Sequence, residues 1–252
     1  MFNFNNSFNI TLFSGLSTIL GFFVIFLKIK NNNISKFIVF CLGFSLSIMI
    51  GVSISELLPN SIINIFTYNT FFTSIALIIG VVFSTYFVFK VVLKIINNRE
   101  GEKLYKIGVA SLFTLLCHNI PEGAITYVST ESNLLLGIKL AIAISFHNIP
   151  EGIIISVPVY YATKSKVKAF LCVLTAALAE PIGAILSMLF FKNITYICVD
   201  ISLLIVGVIM VIFAIDELYV KALTYNENRS LIRGISLGVI ISIINIILHI
   251  II

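Results

Sequence analysis

The chain writes one six-residue phrase twice. His118-Asn119-Ile120-Pro121-Glu122-Gly123 returns as His147-Asn148-Ile149-Pro150-Glu151-Gly152, each copy set inside a long apolar segment. On a helix, the His and Glu of either copy stand four residues apart and share a face, with the Asn beside them. Each copy therefore offers an imidazole, an amide oxygen and a carboxylate in one direction. In apolar surroundings such groups are costly unless they meet a partner, a wet cavity or an ion. Two copies facing each other would make a cage of about six ligands for a divalent metal.

The surroundings are apolar by composition as well as locally. Of 252 residues, 59% are hydrophobic and 11% charged, with a mean hydropathy of +1.12, which excludes an ordinary soluble domain. Eight runs long enough to cross a bilayer can be read, at 8–27, 37–58, 70–96, 105–130, 134–160, 167–191, 196–220 and 231–252. The fold class expected is an all-α membrane protein with one polytopic domain over 1–252. The first segment lacks a basic start and a small-residue cleavage site, so it reads as the first span rather than a signal peptide. All of the 16 basic residues except Lys139 and Lys192 fall in or beside odd-numbered connections. The positive-inside bias then puts those connections in the cytoplasm and both termini outside, in a cell membrane. The net charge of +5 is a cytoplasmic fringe beside anionic lipid and calls for no nucleic acid. The partners expected are divalent metal ions and lipid, and a homodimer is allowed.

Helical rise sets the depth of the repeated phrase. From Lys106 to His118 is roughly 18 Å, and from Glu151 to Lys164 roughly 20 Å, at about 1.5 Å per residue. Glu180, in Ala179-Glu180-Pro181, shares that depth. Three carboxylates in one thin slab must take up protons or bind cations. Pro121, Pro150 and Pro181 each remove a backbone donor, so kinks are expected in all three helices. Neutral His, Asn oxygen and carboxylate without thiolate suit Zn, Fe, Mn or Co in the divalent state. Two ions can be drawn, one among His118, Glu122, His147 and Glu151, the other among Asn119, Glu122, Asn148, Glu151 and Glu180. Cys117 adjoins His118, but consecutive helical positions diverge by about 100°, so it is not counted as a ligand. Because metal must displace protons from these groups, binding is expected to weaken as the outside becomes acidic.

A second pair of phrases is shorter. Ser53-Ile-Ser-Glu56-Leu-Leu-Pro59 closes span two and Ala214-Ile-Asp216-Glu217-Leu-Tyr219 closes span seven, yet these spans run in opposite directions. Spans four and five do likewise. Similar phrases in opposite directions are the trace of an inverted repeat, as in many transporters. Glu56 is then a gate or entry residue near the outer mouth, with Asp216 and Glu217 near the inner one. Small residues four apart, Gly80 with Ser84 and Gly183 with Ser187, suit close helix approach.

Two other functions use the same residues. An intramembrane metalloprotease would carry HExxH on one helix, and neither copy contains it; the third histidine, His249, lies at the end of the last span. A proton or alkali-cation exchanger needs paired carboxylates only, whereas imidazole plus Asn in both copies favours a transition metal.

At these residues the chain resembles the ZIP family of divalent metal transporters, most closely its bacterial ZupT-type branch. The two HNIPEG phrases are similar to the family's fourth- and fifth-helix motifs, and Ala179-Glu180-Pro181 to its sixth-helix glutamate. Gly51 to Pro59 and Asp216-Glu217-Leu218 are similar to the second- and seventh-helix signatures. The resemblance implies a ZIP fold with helices four and five at its centre. It also implies a binuclear centre between helices four, five and six, bridged by Glu122 and Glu151. The cargo it implies is zinc, with iron, manganese, cobalt and cadmium, moved into the cytoplasm without catalysis or prosthetic group. The connection at about 97–104 holds no His, unlike the third loop of many eukaryotic members.

Overall fold

A computed structural model of the chain describes residues 4–98, 103–190 and 196–251, and every element among them is helical. Eight rods follow in order: α1 (Asn6–Phe26), α2 (Asn31–Tyr68), α3 (Phe71–Asn98), α4 (Lys103–Ser132), α5 (Leu134–Thr163), α6 (Lys166–Leu189), α7 (Asp200–Leu223) and α8 (Asn228–Ile251). All but α4 are long and apolar enough to cross a bilayer on length and composition. The thirty residues of α4 suffice in length, but His118, Asn119, Glu122 and Glu131 dilute its apolar run. The chain is a multi-pass membrane protein, and its outward faces carry large exposed apolar side chains such as Phe72, Phe83 and Leu189. In lipid such a surface is satisfied rather than aggregating.

The rods sort into two four-helix units. In the first, α4 packs along α5 and α6, and α1 lies against α5, α4 and α6. In the second, α2 and α8 form the most extensive pair, with α7 against α2 and α3. The units meet where α2 touches α5 and α7 touches α4. At that junction the buried Ser45 hydroxyl donates to the Pro150 carbonyl over 3.1 Å. In the second unit Lys90 of α3 pairs with Asp216 of α7 at 2.5 Å, both partly exposed.

Four helices depart from regular α geometry, and they do so in matched places. The Ser53–Leu57 stretch of α2 and the Ala214–Tyr219 stretch of α7 are both π-helical, and these are the two phrases that share a pattern. Such turns are rare and cluster at functional positions. α1 is interrupted at Ser17 and α6 at Leu178. The sequence places prolines in α4, α5 and α6 as well, at Pro121, Pro150 and Pro181. Pro121 and Pro150 lie inside helices that continue without a break past them. Pro181 sits in the first turn of the segment Ala179–Phe190, where a missing N–H has no intrahelical partner to lose.

Two further expectations change. α2 does not stop near residue 58 but continues to Tyr68, because Pro59 enters just after the π-helical turn at a helix start, where it is tolerated. Glu56 therefore lies about 18 Å from that end by helical rise, well inside the rod. Gly80 has open space around it and Ser84 is exposed, so this pair makes no close approach, whereas Gly183 and Ser187 are buried. The connection near 97–104 and the side chain of His249 fall largely outside the described residues.

Candidate metal centre

Both copies of the phrase turn inward in the first unit. His118, Asn119, Glu122, His147, Asn148, Glu151 and Glu180 are all buried, none more than 6% exposed. Glycine makes the approach possible. A Cβ on Gly123 would run into the carbonyl oxygen of Glu180, and one on Gly152 into that of Thr18. Conversely, a Cβ on Gly183 would strike the Ile120 carbonyl, and one on Gly21 the Ile149 carbonyl. The last residue of each phrase is thus glycine because the backbone of α6, or of α1, passes directly over it.

The imidazoles and carboxylates then converge. His118 Nε2 stands 3.3 Å from Glu122 Oε2 and 3.4 Å from Glu151 Oε1, and His147 Nε2 is 2.7 Å from Glu122 Oε1. One ligand atom from each of His118, His147 and Glu151 lies within 4.8 Å of the others. For bonds of about 2.0–2.1 Å in a tetrahedral zinc site, neighbouring ligand atoms stand roughly 3.3–3.4 Å apart. The two His118 distances match such edges, and they are too long for good hydrogen bonds. The polar atoms agree: both nitrogens of His118, both oxygens of Glu151 and Glu122 Oε2 are buried without a hydrogen-bond partner. Buried polar groups are normally satisfied, so this cluster suits a guest that supplies the missing contacts.

Beside it lies a cluster of oxygen and amide. Asn148 Nδ2 donates to Glu180 Oε1 at 2.5 Å and to the Ser14 carbonyl at 2.9 Å. Its Oδ1 and Glu180 Oε2 carry no partner. Asn119 Nδ2 points to the Ala176 carbonyl at 3.4 Å, leaving its Oδ1 bare. Asn148 and Glu180 therefore meet, while Asn119 reaches the α6 backbone and the Glu151 side chain.

The remaining sequence candidates lie in the second unit. Glu56, in the π-helical turn of α2, accepts from Asn245 Nδ2 of α8 at 3.2 Å. Glu217 is buried in the equivalent turn of α7, while Asp216 beside it faces Lys90 instead. Cys117 opens onto an apolar groove with Phe113 and Ile209, away from the cluster. Sequence reasoning missed the part of α1, whose Ser14 carbonyl and Thr18 backbone abut the second phrase. The available signal was Ser14, Gly15, Thr18 and Gly21, small residues at helical spacing in an otherwise apolar span.

Eight apolar rods with imidazoles and carboxylates gathered between them define a polytopic membrane protein with an intramembrane cluster of metal-ligand type. The family model described as ZIP zinc transporter matches residues 96–214. The zinc transporter ZupT of Clostridium perfringens is 34% identical over 285 residues, covering 98% of each chain. That of Chlorobaculum parvum is 33% identical, over 96% of this chain and 97% of its own, and that of Streptococcus mutans 32%, over 97% of both. The chain belongs to the ZIP zinc transporter family, whose members are transporters and not enzymes.

Proposed function

We propose that the chain, acting as one unit over 1–252, carries zinc and other divalent cations, Fe²⁺, Mn²⁺, Co²⁺ and Cd²⁺ among them, into the cytoplasm through a binuclear centre at mid-membrane. The observation that carries this is the pair of 3.3 and 3.4 Å edges around the bare His118 Nε2. The first ion is held by His118, Glu122, His147 and Glu151. The second lies among Asn119, Asn148 and Glu180 with oxygens from Glu122 and Glu151, a hard donor set that admits iron and manganese. The cytoplasmic face is the one fringed by lysines such as Lys28, Lys106, Lys166 and Lys221, which leaves both termini outside.

The centre belongs wholly to the unit of α1, α4, α5 and α6, and the other unit offers Glu56 and Glu217 from two matched π-helical turns. Motion of the first unit against the second exposes the centre alternately to either side. Glu56 then serves the outer approach and Glu217 the inner one. Radiolabelled zinc uptake into vesicles containing the purified protein tests the assignment. Wild type accumulates zinc and Glu122→Ala does not; uptake indifferent to Glu122 defeats it.

A further inference from the structure

Contacts in the first unit repeat at one constant spacing between α1 and α6. Asn148 of α5 donates to the Ser14 carbonyl of α1, and Asn119 of α4 donates to the Ala176 carbonyl of α6. Gly152 is roofed by the Thr18 carbonyl and Gly123 by that of Glu180. Gly21 abuts the Ile149 carbonyl and Gly183 that of Ile120. The pairs Ser14 with Ala176, Thr18 with Glu180 and Gly21 with Gly183 are in one register, and the interruptions at Ser17 and Leu178 fall within one residue of it. A Cβ on Gly15 would meet the Ala177 carbonyl at 2.5 Å, and these two residues are also mates. Helices α1 and α6 therefore cross on the pseudo-twofold axis itself.

That axis gives Glu180 a counterpart, and it is Thr18. The Thr18 hydroxyl is fully buried and has no hydrogen-bond partner; neither has Asn119 Oδ1, whose mate Asn148 lies beside Glu180. We propose that the frame holds two equivalent subsites for the second ion, and that the residues at 18 and 180 decide which one is filled. Glutamate on α6 fills the Asn148 side. Threonine on α1 leaves the Asn119 side neutral and keeps the centre at three carboxylates. Ligand charge count tunes cation affinity, so Thr18 keeps the second ion releasable. This rests on the two-ion reading above.

The test moves the carboxylate across the axis and counts zinc per chain by elemental analysis of gel-filtered protein in detergent. Wild type is expected to hold two ions and Glu180→Thr one. The exchange Thr18→Glu with Glu180→Thr restores two, and its second ion is weakened more by adding Asn119→Ala than by adding Asn148→Ala, the reverse of wild type. Thr18→Asp with Glu180→Thr repeats the test with a shorter acid. A folded exchange protein that stays at one ion, or still depends more on Asn148 than on Asn119, overturns the inference and leaves the two-ion reading standing. So does failure of both exchange proteins to fold while Glu180→Thr folds, because the α1 side is then no equivalent frame. A wild type that holds a single zinc overturns the two-ion reading, and the inference with it.

Discussion

The two copies of the phrase have identical sequences and unequal surroundings. In the second, the His147 imidazole donates to Glu122, and Asn148 is held by Glu180 and the Ser14 carbonyl. In the first, His118 has neither nitrogen hydrogen-bonded, and Asn119 makes a long contact to the Ala176 carbonyl and reaches the Glu151 side chain, with no carboxylate from α1 or α6 to hold it. The difference comes from outside the phrases, from the flanking helices α1 and α6 that cross over both. α6 brings a carboxylate toward the second copy's Asn, while α1 brings threonine to the matched place. A repeated motif thus supplies a symmetric set of ligands, and the flanking helices decide how each is used.

The strongest way to break the comparison is to remove the carboxylate both imidazoles share. Glu122→Ala leaves His147 without its partner and His118 without one edge of its site. Removing an oxygen ligand outright should cost more than removing a supporting group, so calorimetric zinc affinity should fall by more than about 100-fold. Next come the two asparagines. Asn148→Ala should weaken the second ion by about 10–100-fold, the usual range for a supporting group, while Asn119→Ala weakens it less; competition titration with Mn²⁺ reads the difference. Gly123→Ala then asks whether the roof matters, since its methyl meets Glu180 backbone that cannot turn aside. Overpacking of this kind costs about 1–3 kcal/mol, seen as a lowered thermal midpoint in detergent together with a weakened second ion. Gly152→Ala should lower the midpoint similarly yet spare that ion, because it presses on Thr18. The smallest effect belongs to Gly80→Ala, which has open space around it and should raise stability by no more than the roughly 1 kcal/mol by which alanine outdoes glycine inside a helix.

Much of this centre was legible because helical period and the cost of burying charge act on single residues. His118 and Glu122 four apart, and Glu180 at the same depth, could be placed by counting turns. The part of α1 was not legible in the same way. Ser14 and Thr18 matter through a carbonyl and a place in a register, and neither carries a chemical signature that periodicity can pick out. The end of α2 was misplaced because Pro59 read as a stop, whereas a π-helical turn just before it lets the rod continue. The bare flank at Gly80 was misread because small-residue spacing says that two helices can approach, not that a neighbour is there.

The hydroxyl of Ser45 on the Pro150 carbonyl fastens the two four-helix units together beside the second phrase. A neutral bond of that sort is worth about 1 kcal/mol net, little above thermal agitation. A clasp that weak lets the two units part and rejoin at little cost.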